Sequence, residues 1–415
     1  MDDFEYKNEY LYCENLPIIE IVEKVKTPCY IYSFKTLKRH FEAFDNAFEN
    51  INHITCYSVK ANSNLSILNI FKKLGSGFDI VSGGELFRVL KIDADPKKVV
   101  YSGVGKTPEE IEYALSSDIL MFNVESYEEL MKINEIAKKL NKKARIALRV
   151  NPDVDPKTHP YISTGLKENK FGIDINEAVE IYKQANNLEY IEVAGIDCHI
   201  GSQLTEISPF VDAVKRIKNL IKELTSIGIK LKYFDIGGGL GVVYKNENPP
   251  TPEEYANAII NEVKDLNLTM IFEPGRVIVA NAGILVTKVL YFKKNYEKNF
   301  VIVDAGMNDL IRPSLYKAYQ EIIPVDKKNC EKIKADIVGP ICESGDYLAK
   351  DREVMVKKGS YLVVKSAGAY GFTMSSNYNS RPRPAEVLVK DDKYFIIRER
   401  ESYEDLVAKE KLIEV

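Results

Sequence analysis

From about residue 53 onward, short β-branched apolar runs alternate with stretches whose apolar residues recur at three-and-four spacing. The first pattern is that of a buried strand, and the second that of an amphipathic helix. Strands are expected at His53–Val59, Phe78–Val81, Val99–Ser102, Ile119–Asn123, Ala144–Val150, Glu192–His199, Lys232–Ile236 and Thr269–Phe272. Helical patterns such as Leu65–Leu74, Pro108–Ser116, Tyr127–Leu140, Ile175–Ala185 and Phe210–Ser226 lie between them. This rhythm builds a parallel sheet with helices outside. Eight strand-helix units over roughly 220 residues approach the usual (β/α)8 size of ~250, so an α/β fold with a closed TIM-like barrel is expected rather than an open doubly wound sheet.

After Arg276 the rhythm changes. Strand-like runs follow at Gly283–Phe292, Phe300–Asp304, Ser360–Lys365, Ala385–Val389 and Tyr394–Arg398, the last two around the turn Lys390-Asp391-Asp392-Lys393. Without long helices between them, they read as a mostly β C-terminal domain. The expected division is an N-terminal segment 1–27 joining the β domain, a barrel over 28–280 and a β-rich domain over 281–415. Cys29–Ser33 also looks like strand and is free to pair with either domain.

Composition narrows the function classes. Hydrophobic residues at 45% and charged residues at 28% exclude a disordered or fibrous chain. With 57 Lys+Arg against 61 Asp+Glu, the net charge of −4 creates no general field toward nucleic acid or anionic lipid, so neither is an expected partner and partners, a small-molecule amino-acid substrate among them, must be read from local sites. The six cysteines contain no CxxC pair, which argues against a disulfide framework and a zinc ribbon and for a reducing cytoplasm. The start MDDFEYKNEY does not read as a signal peptide, and no apolar window approaches the ~18 residues of a membrane span.

Barrels of this type place their chemistry at the C-terminal ends of the strands. Those ends carry Lys60, Asp79, Cys198-His199, Gly237-Gly238-Gly239 and Glu273-Pro274-Gly275-Arg276. Lys60 reads either as a solvated strand cap or, partly desolvated, as an amine of lowered pKa able to form a Schiff base. The glycine run matches neither a P-loop nor GxGxxG. Its place after the seventh strand, with Gly275 and Arg276 after the eighth, suits a phosphate held by backbone N–H groups. His199 reads as a core histidine or as a flat ring for stacking, and no metal site is expected from four histidines without a carboxylate cluster. A phosphorylated aromatic aldehyde unites these parts: phosphate on the glycine loops, ring against His199, carbonyl on Lys60, and Glu273 facing a ring nitrogen. Pyridoxal 5'-phosphate fits that description. Asp79 receives no role.

The segments Tyr57-Ser58-Val59-Lys60-Ala61-Asn62, Cys198-His199-Ile200-Gly201-Ser202-Gln203, Gly237–Gly239, Glu273–Arg276, Gly339-Pro340-Ile341-Cys342-Glu343-Ser344-Gly345-Asp346 and Ala369-Tyr370 occur in that order from about Pro28 to Arg383. As an ordered set they resemble the alanine-racemase-fold (fold-type III) pyridoxal phosphate decarboxylases, and within them the branch acting on diaminopimelate. The resemblance implies that Lys60 carries the cofactor, that His199 stacks on it, and that Ser202, Gly238, Gly239, Glu273, Gly275, Arg276 and Tyr370 bind it. It further implies that Arg276, Arg312, Tyr316, Glu343 and Tyr370 hold the substrate and that Cys342 donates a proton. It also implies a homodimer whose active sites use both chains, and decarboxylation of meso-2,6-diaminopimelate to L-lysine, the last step of lysine biosynthesis.

Read without the resemblance, Arg312 and Tyr316 four residues apart could be one exposed helix face, and Cys342-Glu343 a surface turn. Decarboxylation of ornithine, arginine or carboxynorspermidine on the same scaffold is a rival. A site with Arg276, Arg312 and Glu343 is over-equipped for ornithine, which has no distal carboxylate. An inactive regulatory binder and a cofactor-free barrel hydrolase are the alternatives from other classes.

Overall fold

Strand pairing closes the sheet expected from the alternating pattern. In the computed structural model, which describes residues 2–155 and 170–414, the barrel strands are β1 (His53–Ser58), β2 (Gly77–Ile80), β3 (Val99–Tyr101), β4 (Met121–Val124), β5 (Ala144–Asn151), β6 (Ile191–Asp197), β7 (Tyr233–Asp235) and β8 (Thr269–Phe272). Each pairs in parallel with the next. Closure comes from β8 on β1, where Met270 faces His53 and Phe272 faces Thr55.

The barrel is filled, not a pore. Cys56, Val100, Met121, Ala147 and Ile271 project from five different strands into one apolar cluster with Leu120. Outside, the helices Leu65–Lys73, Pro108–Ser116, Tyr127–Leu140, Ile175–Asn186 and Ser208–Ser226 fall where the three-and-four spacing put them, and Gly83–Lys91 and Pro252–Val263 join them. Thr107 with Glu110 and Thr251 with Glu254 form capping boxes on two of these helices. In each, the Thr hydroxyl accepts from the Glu N–H and the Glu carboxylate accepts from the Thr N–H, satisfying two otherwise orphaned donors. These starts fix where each helix leaves its strand, and with it the loop at the barrel rim.

The chain divides into a barrel unit, His40–Val243 with Glu247–Val277, and a sheet unit, Met1–Arg39 with Tyr244–Asn246 and Ile278–Val415. Residues 28–39, grouped with the barrel by the sequence pattern, therefore belong to the sheet unit. The reason is the strand Cys29–Ser33. It pairs antiparallel with Gly283–Asn295 and parallel with Ala385–Lys390, and all five of its residues are buried.

From that central strand the sheet extends through Gly283–Asn295, Lys298–Val303 and Glu331–Val338 to Tyr347–Val356, and on the other side through Ala385–Lys390 to Lys393–Arg398. Its core joins Cys29, Ile31, Ile284, Val286, Val363 and Val387 to Phe4, Leu11, Ile18 and Val22 from the N-terminal hairpin and helix. The strands Glu331–Val338 and Tyr347–Val356 were not expected. They carry Lys and Glu along their outer halves, and only part of each is buried, so neither shows a clean apolar run. Among the described residues, no helix is long and apolar enough to cross a membrane.

Candidate active site

Lys60 follows β1 in a single 3-10 turn, Val59–Ala61, at the rim of the barrel. Its Nζ lies 2.6 Å from Oδ2 of Asp79 on β2, a carboxylate with no solvent exposure. The Ser58 hydroxyl lies 2.8 Å from the same Asp79 oxygen and 2.9 Å from the Glu273 carbonyl, tying β1 to the loop after β8. The amine is thus held by a buried carboxylate partner at the rim.

His199 sits beyond the end of β6, two residues past Asp197. The Gly238 N–H donates to its Nδ1 at 3.2 Å, so the ring proton belongs on Nε2. Burial within the barrel, with the cations Arg149 and Lys60 adding to it, pushes the imidazole well below the ordinary histidine range. A neutral, oriented ring is the result.

The glycine loop is tight for steric reasons. A Cβ on Gly238 would fall 2.2 Å from the Glu273 carbonyl oxygen, and one on Gly239, whose φ is +117°, would fall 2.5 Å from that of Gly201. Only glycine lets the loops after β6, β7 and β8 approach so closely. Gly275 is nearly as confined, against the Cβ atoms of Ser58 and Ala61. Beside them Arg276, 7% exposed, donates to Ser202 Oγ through Nη2 at 3.1 Å. These residues form an anion-accepting corner.

Deeper in the mouth lies a polar layer that sequence reasoning missed apart from Glu273. Asn123 on β4 donates through Nδ2 to Ser102 Oγ at 3.1 Å and Asp235 Oδ2 at 3.1 Å, and lies 3.4 Å from Glu273 Oε1. Arg149 on β5 pairs with Glu125 at 2.8 Å and stands 3.9 Å from Asp197. Burial drives the Asp197, Asp235 and Glu273 carboxyls upward, and their mutual repulsion adds to it. A partial signal was available: Asp79 and Asn123 each interrupt a short apolar strand, where an unpaired polar group is costly.

The sheet unit carries the remaining residues. Arg312 and Tyr316 begin and end one short helix, Arg312–Tyr316. Arg312 is only 6% exposed and its guanidinium stacks 4.6 Å from the Tyr244 ring, so the exposed-face reading fails for it. Ser314 on the same helix donates to the Gly345 carbonyl at 2.7 Å, anchoring the helix to the Cys342 loop. That loop is shaped by Asp346, whose two oxygens accept from Ile341 and Met307 at 2.7 and 2.6 Å. Cys342 is exposed, and its N–H donates to Asn379 Oδ1 at 2.7 Å. Glu343 beside it is exposed. Tyr370 is partly exposed, with φ +55°.

The family model described as "Pyridoxal-dependent decarboxylase, pyridoxal binding domain" matches residues 34–280. The diaminopimelate decarboxylase of Haemophilus influenzae is 55% identical over 415 residues, covering 100% of both chains. Among solved structures, diaminopimelate decarboxylase from M. jannaschii in co-complex with L-lysine aligns with a TM-score of 0.94 at 43% identity, covering 99% of this chain and 98% of that one. The Helicobacter pylori enzyme complexed with L-lysine aligns at 0.91 with 47% identity, covering 94% and 98%.

The two described barrel histidines with resolved shifts should titrate in opposite senses. His199 should stay neutral, with its proton on Nε2, over about pH 5 to 8 in imidazole nitrogen NMR. Burial opposes the charged form of His53 too. There, however, the hydrogen bonds to Asp45 and the Ile51 carbonyl prevail and raise its pKa, so it should gain its proton on the alkaline side of an ordinary histidine. An ordinary midpoint for His199 would contradict the geometry.

Proposed function

We propose that this chain, which belongs to the diaminopimelate decarboxylase family of pyridoxal-dependent decarboxylases, converts meso-2,6-diaminopimelate to L-lysine and carbon dioxide. The observation that carries this reading is the Lys60 amine at the barrel rim, 2.6 Å from the fully buried Asp79 and beside an anion-accepting glycine corner. Full-length relatives of the same name support it, as do two solved relatives complexed with L-lysine.

The residues fit the cofactor. Asp79 Oδ1, Asn123 Oδ1 and Asp197 Oδ1 are buried without hydrogen-bond partners, and the Glu273 carboxyl lies among them in a mouth rich in acceptors. A group bringing a protonated ring nitrogen relieves that surplus. Lys60 would hold the aldehyde carbon, the amides of Gly238, Gly239 and Gly275 with Ser202 and Arg276 the phosphate, and Glu273 the ring nitrogen. His199 would stack on the ring, and Tyr370 would also contact the cofactor. When bound, pyridoxal phosphate supplies an electron sink for the charge left on Cα as carbon dioxide departs.

The chain's own groups supply the rest. Glu273, as a carboxylate, would favour positive charge on the ring nitrogen. The neutral His199 adds no charge of its own to the ring face. Arg276 and Arg312 orient the substrate's carboxylates as planar donors, Tyr316 and Tyr370 supply hydroxyls, and Glu343 receives the distal ammonium. Cys342 delivers a proton to Cα. We further assign the active form as a homodimer in which Cys342 and Glu343 complete the partner's barrel site. Six cysteines outside any disulfide accord with a cytoplasmic setting.

Replacing Arg312 with Ala should lower kcat/KM for meso-diaminopimelate by about 2–5 kcal/mol of transition-state binding while pyridoxal phosphate affinity stays near wild type. Wild-type protein should turn over diaminopimelate faster than ornithine in the same assay; the reverse order would overturn the substrate assignment.

Shared sites make a separate prediction. Lys60→Ala and Cys342→Ala chains, dissociated and randomly reassociated, should form about half mixed dimers, each with one intact site, recovering about a quarter of wild-type activity. Activity that stays at the parental average, with subunit exchange verified, would place each site within one chain.

A further inference from the structure

Asp235 ends β7 and points into the barrel mouth with no solvent exposure. Its Oδ1 accepts the Gly237 N–H at 2.9 Å, which fixes the carboxyl and turns Oδ2 toward Asn123 at 3.1 Å. The same Asn123 amide reaches Glu273 Oε1 at 3.4 Å, and the Asp235 and Glu273 side chains hydrogen-bond to each other. Two carboxyls in hydrogen-bond contact inside a protein cannot both ionise. The functional reading assigns work to Glu273 and none to Asp235.

We propose that Asp235 and Glu273 share a single proton, which the pair presents to the ring nitrogen of pyridoxal phosphate, so that Asp235 acts as a positioning residue for that proton. This deepens the proposed function and rests on it. Donor placement says which partner carries the proton. Asp235 receives two well-placed donors, Gly237 and Asn123, which favour its charged form. Glu273 Oε1 has only the longer contacts to Ser102 at 3.3 Å and Asn123 at 3.4 Å. The proton therefore sits on Glu273 and is donated to Asp235. A neutral ring nitrogen would take up that proton, and Glu273 would then remain as its carboxylate partner with the charge of Asp235 beside it.

The surroundings agree with this arrangement. Asp197 and Asp79 also face the pair, and burial pushes the Asp197 carboxyl upward as well, while Lys60 is held by Asp79 and Arg149 by Glu125 and, more loosely, Asp197. Cys56, Cys198 and Tyr255, the other titratable neighbours of Asp235, are pushed upward by burial and stay neutral. Asn123 Oδ1 is buried without a partner, so its amide can turn if the group at 235 changes.

The test separates an electrostatic role from a merely structural one, because Asp235→Asn keeps the acceptor for Gly237 but cannot ionise. Apoprotein is titrated with pyridoxal 5'-phosphate across pH, following visible absorbance and affinity. In wild type the pair's like charge keeps the proton on Glu273 to high pH. In Asp235→Asn the alkaline limb of the affinity profile should move about one pH unit or more toward acid. A profile indistinguishable from wild type would reduce Asp235 to a cap for Gly237 and overturn the proposal. Should the variant not fold, infrared difference spectra of wild type settle the matter. Loading should remove one protonated-carboxyl carbonyl band, and its persistence would overturn the shared proton. Failure of wild type to take up pyridoxal phosphate at all would overturn the functional reading along with the proposal, an outcome distinct from normal uptake with an unmoved profile.

Discussion

Buried negative charge at the mouth of the barrel is the constraint on which the rest of the site depends. Asp79, Glu125, Asp197, Asp235 and Glu273 are all nearly or wholly removed from water. A buried carboxylate persists only if it is paired, hydrogen-bonded or protonated. Lys60 and Arg149 answer part of this demand, and Asn123 and Ser102 answer more through their donors. What is left is a mouth that favours a cationic, donor-bearing occupant. The strand ends thus select the charge of what binds there, while the glycine loops above select its anionic tail. One rim offers opposite electrostatics at two depths, and an aromatic phosphate with a basic ring nitrogen satisfies both.

The sheet unit serves a different need, the rigid presentation of exposed groups. Cys342 and Glu343 lie on a loop that would wander if left to itself. Asp346 ties down two backbone amides, Asn379 a third, and Ser314 joins the loop to the helix bearing Arg312. Arg312 itself is stacked on Tyr244, which fixes the plane of its donors. Polar anchors of this kind hold the Cys342 thiol in place without burying it.

Much of this could be read from the chain because barrel strands buried on both faces make unmistakable apolar runs. Pro108–Ser116 and Tyr127–Leu140 coincide with their expected bounds for the same reason of strong periodicity. The strand Glu331–Val338 and its edge neighbour Tyr347–Val356 were invisible because each leaves much of its length open to solvent. The allocation of Cys29–Ser33 to the sheet unit needed tertiary pairing that no local pattern encodes. In the site, Lys60, His199, the glycines and Glu273–Arg276 announced themselves by residue type at strand ends. Asn123, Arg149 and Asp235 did not, since their significance lies in one another's company across non-adjacent strands. Asp79 was noticed for its place on the rim, but only the 2.6 Å contact explains it.

The claim at the centre is that this charge layout makes Lys60 the attachment point for pyridoxal phosphate. Protein loaded with the cofactor, reduced with borohydride, digested and mapped by mass spectrometry addresses it directly. The pyridoxyl mass should be found on the peptide containing Lys60 and should vanish from it in Lys60→Ala. A label on another lysine, such as the buried Lys106 that pairs with Glu129, or no label at all, would contradict it.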